Sequence, residues 1–232
     1  MKLLDLFAGR LGWSKTFLER GWDVVAIDLT LPSVPIPERV DYRLVDVLTI
    51  TPEWVREQGF DFICASSPCE QFSVHGMKHF HPNPPYPEIG IKLFNHTRML
   101  CEAAGVPYVM ENVRAAQAFV GNAVHHCGPF YLWGTGVPVL LNQGISKVKA
   151  FRAMPVNIRV KVLAAGLDLK TERQKYQKAR EREAMDGAPG GYCSSWSSSE
   201  ARKEATAKAA TIPPELSSCV ADYAERITES SR

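Results

Sequence analysis

The chain has 232 residues, enough for one sizeable core or for one core with a small appendage. Hydrophobic residues at 45% and charged residues at 22% are ordinary for a soluble globular protein. No apolar run approaches the roughly 20 residues that a membrane span needs. The net charge of +2 hides an asymmetry: residues 143–182 hold eleven Lys/Arg against three acids, a local +8 that leaves −6 for the rest. A basic block beside an acidic body suits a polyanionic partner, a solvated charged helix being the plainer alternative.

Six cysteines, at 64, 69, 101, 127, 193 and 219, form neither CxxC pairs nor a framework dense enough for a small secreted domain. The N-terminus runs from Met1-Lys2 straight into an apolar segment, without a signal-peptide pattern. Together these features lead us to expect a reducing cytoplasm.

Lys2 to Phe7 is a short apolar run, and Ala8-Gly9-Arg10-Leu11-Gly12 follows as a tight turn. Helical spacing from Trp13 to Arg20 is closed by Gly21, and Trp22 to Asp28 reads as a second buried strand ending in an acid. This β-turn-α-β unit has the length of a nucleoside-cofactor site: glycines admit the ligand to backbone N–H groups, and the acid accepts from ribose hydroxyls. Leu31 to Pro37, with three prolines, is a surface loop. Tyr42 to Val47 reads as a third strand, with Asp46 near its end. Thr51 is placed to cap the helix that Pro52 begins.

Phe60 to Ala65 is the fourth strand and leads into Ser66-Ser67-Pro68-Cys69-Glu70. Taken alone, Cys69 is most simply a small loop hydrophobe. A cysteine behind a rigid proline at a strand end is also where an α/β enzyme holds a nucleophile. Residues 74–87 are too proline-rich for regular structure, and His75, His79 and His81 beside Cys69 admit a metal-cluster reading. No closed four-ligand spacing supports that reading. Glu88 to Ala104 suits an amphipathic helix with apolar positions 89, 93, 100 and 103, stopped by Gly105. Val106 to Met110 is the fifth strand, with Glu111-Asn112-Val113 at its end.

Repeated strand–helix alternation predicts an α/β fold, a Rossmann-like, doubly wound, mostly parallel sheet with its site at the strands' C-terminal edge. Gly9, Asp28, Asp46, Cys69 and Glu111 all fall on that edge. After Val124 the pattern changes. His125 to Val139 reads as a β-hairpin turning near Gly134-Thr135-Gly136, Leu169 to Met185 as a charged helix and Gly187 to Ser199 as a Gly/Ser-rich loop. A final helix opens at Pro213-Pro214 with Leu216, Val220, Tyr223 and Ile227 on one stripe. The expected organisation is a catalytic domain over 1–142, a small basic recognition region over 143–200, and a C-terminal segment, 201–232, that packs back on the catalytic domain.

Asp5-Leu6-Phe7-Ala8-Gly9, Pro68-Cys69 and Glu111-Asn112-Val113 resemble the first, fourth and sixth motifs of the DNA cytosine-5 methyltransferases, in order and spacing. The resemblance covers roughly residues 1–140, and residues 201–216 resemble the closing segment of short, phage-type members. It implies the class I S-adenosylmethionine-dependent methyltransferase fold, with no metal. It implies Cys69 as the thiolate that adds to cytosine C6, and Glu111 holding the base at N3 and the amino group. Asn112 would position the loop backbone, and Arg114 would meet a phosphate or the base carbonyl. The donor, S-adenosylmethionine, would lie against Asp5, Phe7, Ala8, Gly9, Gly12 and Pro68. Asp28 and Leu29 would meet its ribose side, and Asp46 and Val47 its adenine. The target base must be flipped from its stack. His125 or His126 falls where the family has a segment contacting base and backbone, hairpin packing being an equal alternative.

This sequence departs from the family at three positions. Leu11 stands where the first of two adjacent glycines belongs, after Arg10; Ser67 replaces the second proline before the cysteine, and Glu70 replaces a glutamine. A cation at position 10 suits a carboxylated form of the donor, an alternative to S-adenosylmethionine itself. The recognition region is short, so weak sequence specificity dominated by phosphate contacts is expected, in a monomer. Two rivals keep the motifs: a related branch modifies a transfer-RNA cytosine, so RNA is the alternative substrate, and a non-catalytic nucleic-acid-binding relative would have lost donor binding through Leu11.

Overall fold

The structure, a computed structural model, describes residues 1–72, 87–138 and 211–230. The proline-rich stretch 74–86, the basic block 143–182, the expected helix 169–185 and the Gly/Ser-rich loop 187–199 lie outside them. One unit of the chain joins Met1–Lys147 with Thr211–Arg232, and a second comprises Val148–Ala210.

The described chain runs β1 (Lys2–Leu6), α1 (Gly12–Glu19), β2 (Asp23–Asp28), β3 (Val40–Leu44), α2 (Pro52–Glu57), β4 (Phe62–Ala65), α3 (Glu88–Ala104), β5 (Tyr108–Asn112), α4 (Gln117–Val120), β6 (His125–Cys127), β7 (Phe130–Trp133) and α5 (Pro214–Ser230). The seven strands form one sheet in the order β3-β2-β1-β4-β5-β7-β6. Neighbours from β3 to β5 pair in parallel, and β7 runs antiparallel to both β5 and β6. This is the mixed, mostly parallel, Rossmann-like sheet that the strand–helix alternation predicts.

Central strands are covered on both faces, which is why β1, β2 and β4 read as continuous apolar runs. Leu3, Val24, Phe62 and Val109 point into one core layer, shared with Trp13 and Phe17 of α1 and Leu216, Val220 and Ala224 of α5. Leu4, Leu6, Ile63 and Met110 point into the other, shared with Val55 of α2 and Phe94 and Leu100 of α3. Two edge-to-face aromatic pairs anchor the layers, Phe17 with Trp22 at 5.0 Å and Phe94 with Trp133 at 5.1 Å. Arg20 ties α1 to α5, meeting Asp222 at 2.6 Å and Glu225 at 3.0 Å.

Several elements fall where their sequence signals put them. Gly21 takes φ 82° just past α1, and Gly105 takes φ 73° at the end of α3, the left-handed stop that glycine adopts without strain. Thr51 caps α2, its Oγ1 accepting from the Trp54 N–H at 3.3 Å.

Four details differ. β3 begins at Val40 and ends at Leu44, so Asp46 stands beyond the strand and caps a 3-10 turn, Val47–Thr49. The buried stripe of α3 is Gly90, Phe94, Thr97, Leu100, Cys101 and Ala104, and Ile89 is exposed. The hairpin turns at Gly128-Pro129, between β6 and β7. Gly134 and Gly136 instead let the chain pass close to Tyr108: a Cβ on Gly134 would lie 2.2 Å from the Tyr108 carbonyl oxygen, which accepts the Gly136 N–H at 2.8 Å. On α5 the buried stripe keeps Leu216 and Val220 but continues through Ala221, Ala224 and Thr228, leaving Tyr223 and Ile227 at its margin.

Candidate active site

The sheet brings the C-terminal ends of β1, β2, β4 and β5 to one edge, and most of the candidate residues stand there. Phe7 (φ 58°), Gly9 (φ 47°) and Leu11 (φ 60°) give the turn after β1 three left-handed residues. The fold keeps a conformation natural to glycine although position 11 carries leucine, and the Leu11 side chain is wholly buried. That explains how this departure is tolerated: a left-handed residue costs about 1–2 kcal/mol, and burial of leucine contributes about 1.5–3 kcal/mol.

The turn is held against β2. The Ala8 N–H donates to the Ile27 carbonyl and the Gly9 N–H to Asp28 Oδ2, each at 3.0 Å. Asp28 Oδ1 accepts from the Thr30 N–H at 3.1 Å. The Val45 N–H donates to the Asp28 carbonyl at 3.0 Å, which places Asp46 close by, its Oδ1 accepting from the Leu48 N–H at 2.9 Å. Leu29, 68% exposed, is the apolar side chain next to Asp28, whereas Val47 is buried in the core. Two half-exposed carboxylates, an exposed leucine and a glycine turn form a donor set that fits a nucleoside: acceptors for hydroxyl and amino groups, and apolar surface for a base. Arg10 donates from Nη1 to Ser33 Oγ at 2.6 Å and so joins the turn to the proline-rich loop that follows β2.

Two of the candidate residues are turned inward. Gly12 faces the returning C-terminal segment, where a Cβ would sit 2.9 Å from the Ile212 nitrogen. Asp5 is 1% exposed, and its Oδ2 accepts from the Ser14 N–H at 3.2 Å and the Ser14 hydroxyl at 2.5 Å. Oδ1 has no hydrogen-bond partner, and burial pushes the carboxyl up to about 7 against the pull of the Ser14 bonds.

The loop after β4 is braced at every step. The Ser66 N–H donates to the Leu6 carbonyl at 3.2 Å, and Ser66 Oγ accepts from Trp13 Nε1 at 3.0 Å. Asn112, the last residue of β5, is completely buried and donates from Nδ2 to both the carbonyl and the hydroxyl of Ser67, each at 3.0 Å. Pro68 and Cys69 follow, both half-buried. The Cys69 carbonyl accepts from the Phe72 N–H at 3.1 Å, closing a 3-10 turn, Glu70–Phe72, that leaves Glu70 exposed. Phe72 is buried beneath Gly90 of α3, where a Cβ would lie 2.8 Å from Gln71 Cβ.

Cys69 is half-buried; Cys64 and Cys101 are buried in the core, where burial pushes their thiols up. Glu111 is 8% exposed and stands opposite Leu132 of β7, one residue before Asn112. Arg114 is exposed at the start of the next turn. His126 stacks on Tyr131 at 4.9 Å on the sheet's outermost strand, and His125 Nε2 is buried without a partner.

The bracing groups were not apparent in the sequence. Ser66, Trp13 and Phe72 carry no motif, and the departure at Ser67 was the one available signal. Among the described residues no three His, Cys, Asp or Glu side chains are grouped to hold a metal ion, and no helix is long and apolar enough to cross a membrane. His75, His79 and His81 lie outside those residues.

No protein-family model matches the sequence, and no curated protein does. Among solved structures, the chain is similar to a mutant of Spodoptera frugiperda DNMT2, at 22% identity and a TM-score of 0.35, over 50% of this chain and 37% of that one. It is also similar to a Bacteroides thetaiotaomicron protein described as an epimerase, at 20% identity and a TM-score of 0.32, over 47% of this chain and 45% of that one. The matched part spans less than half the length of either.

Proposed function

We propose that the protein transfers a methyl group from S-adenosylmethionine to C5 of cytosine in DNA. The observation that carries this reading is the Asn112–Ser67 anchorage. It joins the Glu-Asn end of β5 to the Pro-Cys loop after β4, on the sheet edge where the Phe7–Gly12 turn and Asp28 stand. The three motifs of the family resemblance therefore meet in one place. The donor's part is to supply an electrophilic methyl group.

The remaining work falls to this chain. Gly9, Asp28 and Asp46 would hold the nucleoside end of the donor, with Leu29 against its base. Arg10, which donates to Ser33 Oγ, stands at the rim of the same turn. Cys69 Sγ, as thiolate, adds to C6 of a flipped cytosine and makes C5 nucleophilic. Glu111, nearly buried, holds N3 and the exocyclic amino group and offsets the charge that addition creates. After methyl transfer the C5 proton leaves to solvent, the Sγ–C6 bond breaks, and the thiolate is regenerated. Arg114, exposed in the turn that follows β5, is available to a phosphate. The basic block 143–182 supplies the sequence-independent attraction to the polyanion.

Incubation with donor and DNA containing 5-fluorocytosine tests the chemistry. The fluorine cannot leave as the proton does, so a covalent protein–DNA adduct accumulates through Cys69. Absence of an adduct, or an adduct that persists in Cys69→Ser, contradicts the proposal. Running RNA of the same sequence beside the DNA separates the two substrate classes.

A further inference from the structure

We infer that the Ser67 hydroxyl is a positioning group for the Cys69 thiol. The inference rests on the proposed chemistry and deepens it. Asn112 is buried, and its orientation is fixed from both ends of the amide. Oδ1 accepts from the Val113 N–H at 2.8 Å, and the two Nδ2 hydrogens go to the Ser67 carbonyl and Ser67 Oγ, each at 3.0 Å. Flipping the amide would oppose N–H to N–H at Val113 and oxygen to oxygen at the Ser67 carbonyl, so one arrangement alone is satisfied.

Two contacts from one amide to one residue resist rotation as well as translation, as a bidentate pair does. A proline at position 67, which the resemblance leads one to expect, offers the carbonyl and nothing else. The second Nδ2 hydrogen, in a wholly buried side chain, would then lose its acceptor. Ser67 is itself 4% exposed, so water is not a ready substitute.

The anchorage is transmitted to the thiol because little between them can turn. Pro68 has φ locked at about −65° and confines the residue before it to extended conformations. Fixing Ser67 therefore leaves ψ of Pro68 and φ of Cys69 as the soft torsions before the Cys69 Cα. On the other side, Ser66 Oγ is held by Trp13 Nε1 at 3.0 Å. Beyond Cys69, Phe72 is buried beneath α3. With a hydroxyl acceptor on each side chain, the Ser66-Ser67 pair replaces the stiffness of a proline by hydrogen bonds to α1 and β5.

Threonine and valine have nearly the same shape and differ by the hydroxyl. Ser67→Thr and Ser67→Val, with Ser67→Ala beside them, therefore isolate the group even if one variant folds poorly. The readouts are single-turnover adduct formation on 5-fluorocytosine DNA, donor Kd, KM for DNA, and the rate of Cys69 alkylation by iodoacetamide followed by peptide mapping across pH. Ser67→Thr is expected within about threefold of the parent rate and Ser67→Val about tenfold slower, with donor Kd and KM unchanged. Equal adduct rates in the Thr and Val variants overturn the inference, as does a Val defect confined to melting temperature. If the parent protein forms no adduct, the proposed activity fails. Cys69 alkylation then tests the positioning by itself: a Thr–Val difference sustains it and equal rates overturn it.

Discussion

Leu11 offers a quantitative test of how the turn after β1 is held. It takes φ 60° and ψ 38°, a left-handed conformation, while its side chain is fully buried in the layer shared with Ile212 and Leu216. Truncation to alanine removes the packing and keeps the strain, at a cost of about 3 kcal/mol. Truncation to glycine removes those atoms and the Cβ as well, and with the Cβ goes its clash with the backbone, a net release of about 1–2 kcal/mol of strain. Against that release stands about 0.4–1 kcal/mol of extra chain entropy in the unfolded state. Leu11→Gly should therefore be destabilised by about 2 kcal/mol, and Leu11→Ala by about 1 kcal/mol more. That order inverts the one found at ordinary helical or extended positions, where glycine is the worse choice. Urea unfolding followed by far-ultraviolet circular dichroism would read both variants, provided the m-values agree. A glycine variant no more stable than the alanine variant would refute the strain argument. A glycine variant more stable than the parent would refute the packing argument.

Asp5 should make stability fall with pH. Its carboxyl is raised from 3.8 to about 7 in the folded chain by burial, so the folded state retains a proton that the unfolded state releases. The stabilisation from that retained proton is complete below the unfolded value, is lost as pH rises from about 4 to about 7, and changes no further above that. The full span corresponds to about 4 kcal/mol as an upper bound, and Asp5→Asn should shrink the difference in unfolding free energy between pH 5 and pH 8. An unchanged difference would count against a buried, proton-retaining Asp5. At Gly12 an added Cβ meets backbone and side chain of Ile212, so Gly12→Ala should weaken docking of the C-terminal segment. Faster proteolysis near residue 212 would show it, with a loss of about 1–3 kcal/mol on unfolding. DNA affinity should fall steeply with salt, with a log–log slope of about −4 or steeper, if the basic block neutralises several phosphates; a flat response would contradict that role.

The sheet was readable because its central strands are buried on both faces, and the helices because glycines end them. Gly21 and Gly105 mark two of those ends directly. What escaped the sequence has physical causes. β3 is an edge strand whose Asp41 and Leu44 are exposed, so its apolar signal is weak and its limits shifted. The start of α3 turns Gly90, not Ile89, toward the loop that carries Cys69, because closeness rather than hydrophobicity is needed there. Gly134 and Gly136 looked like a hairpin turn and serve instead for close approach to Tyr108. In the site, the residue types were legible as strand-end acids and a Pro-Cys loop. The braces that hold them, Trp13 on Ser66 and Asn112 on Ser67, join positions 45 or more residues apart, and no local pattern announces them.

The central claim is that Cys69 and Glu111 direct a methyl group to cytosine C5. Mass spectrometry of nucleosides from DNA treated with the protein and S-adenosylmethionine reads both the modified base and the group transferred. The account predicts 5-methylcytosine with the parent protein and none with Cys69→Ser; unmodified DNA, a different modified base, or product that survives the cysteine substitution would contradict it.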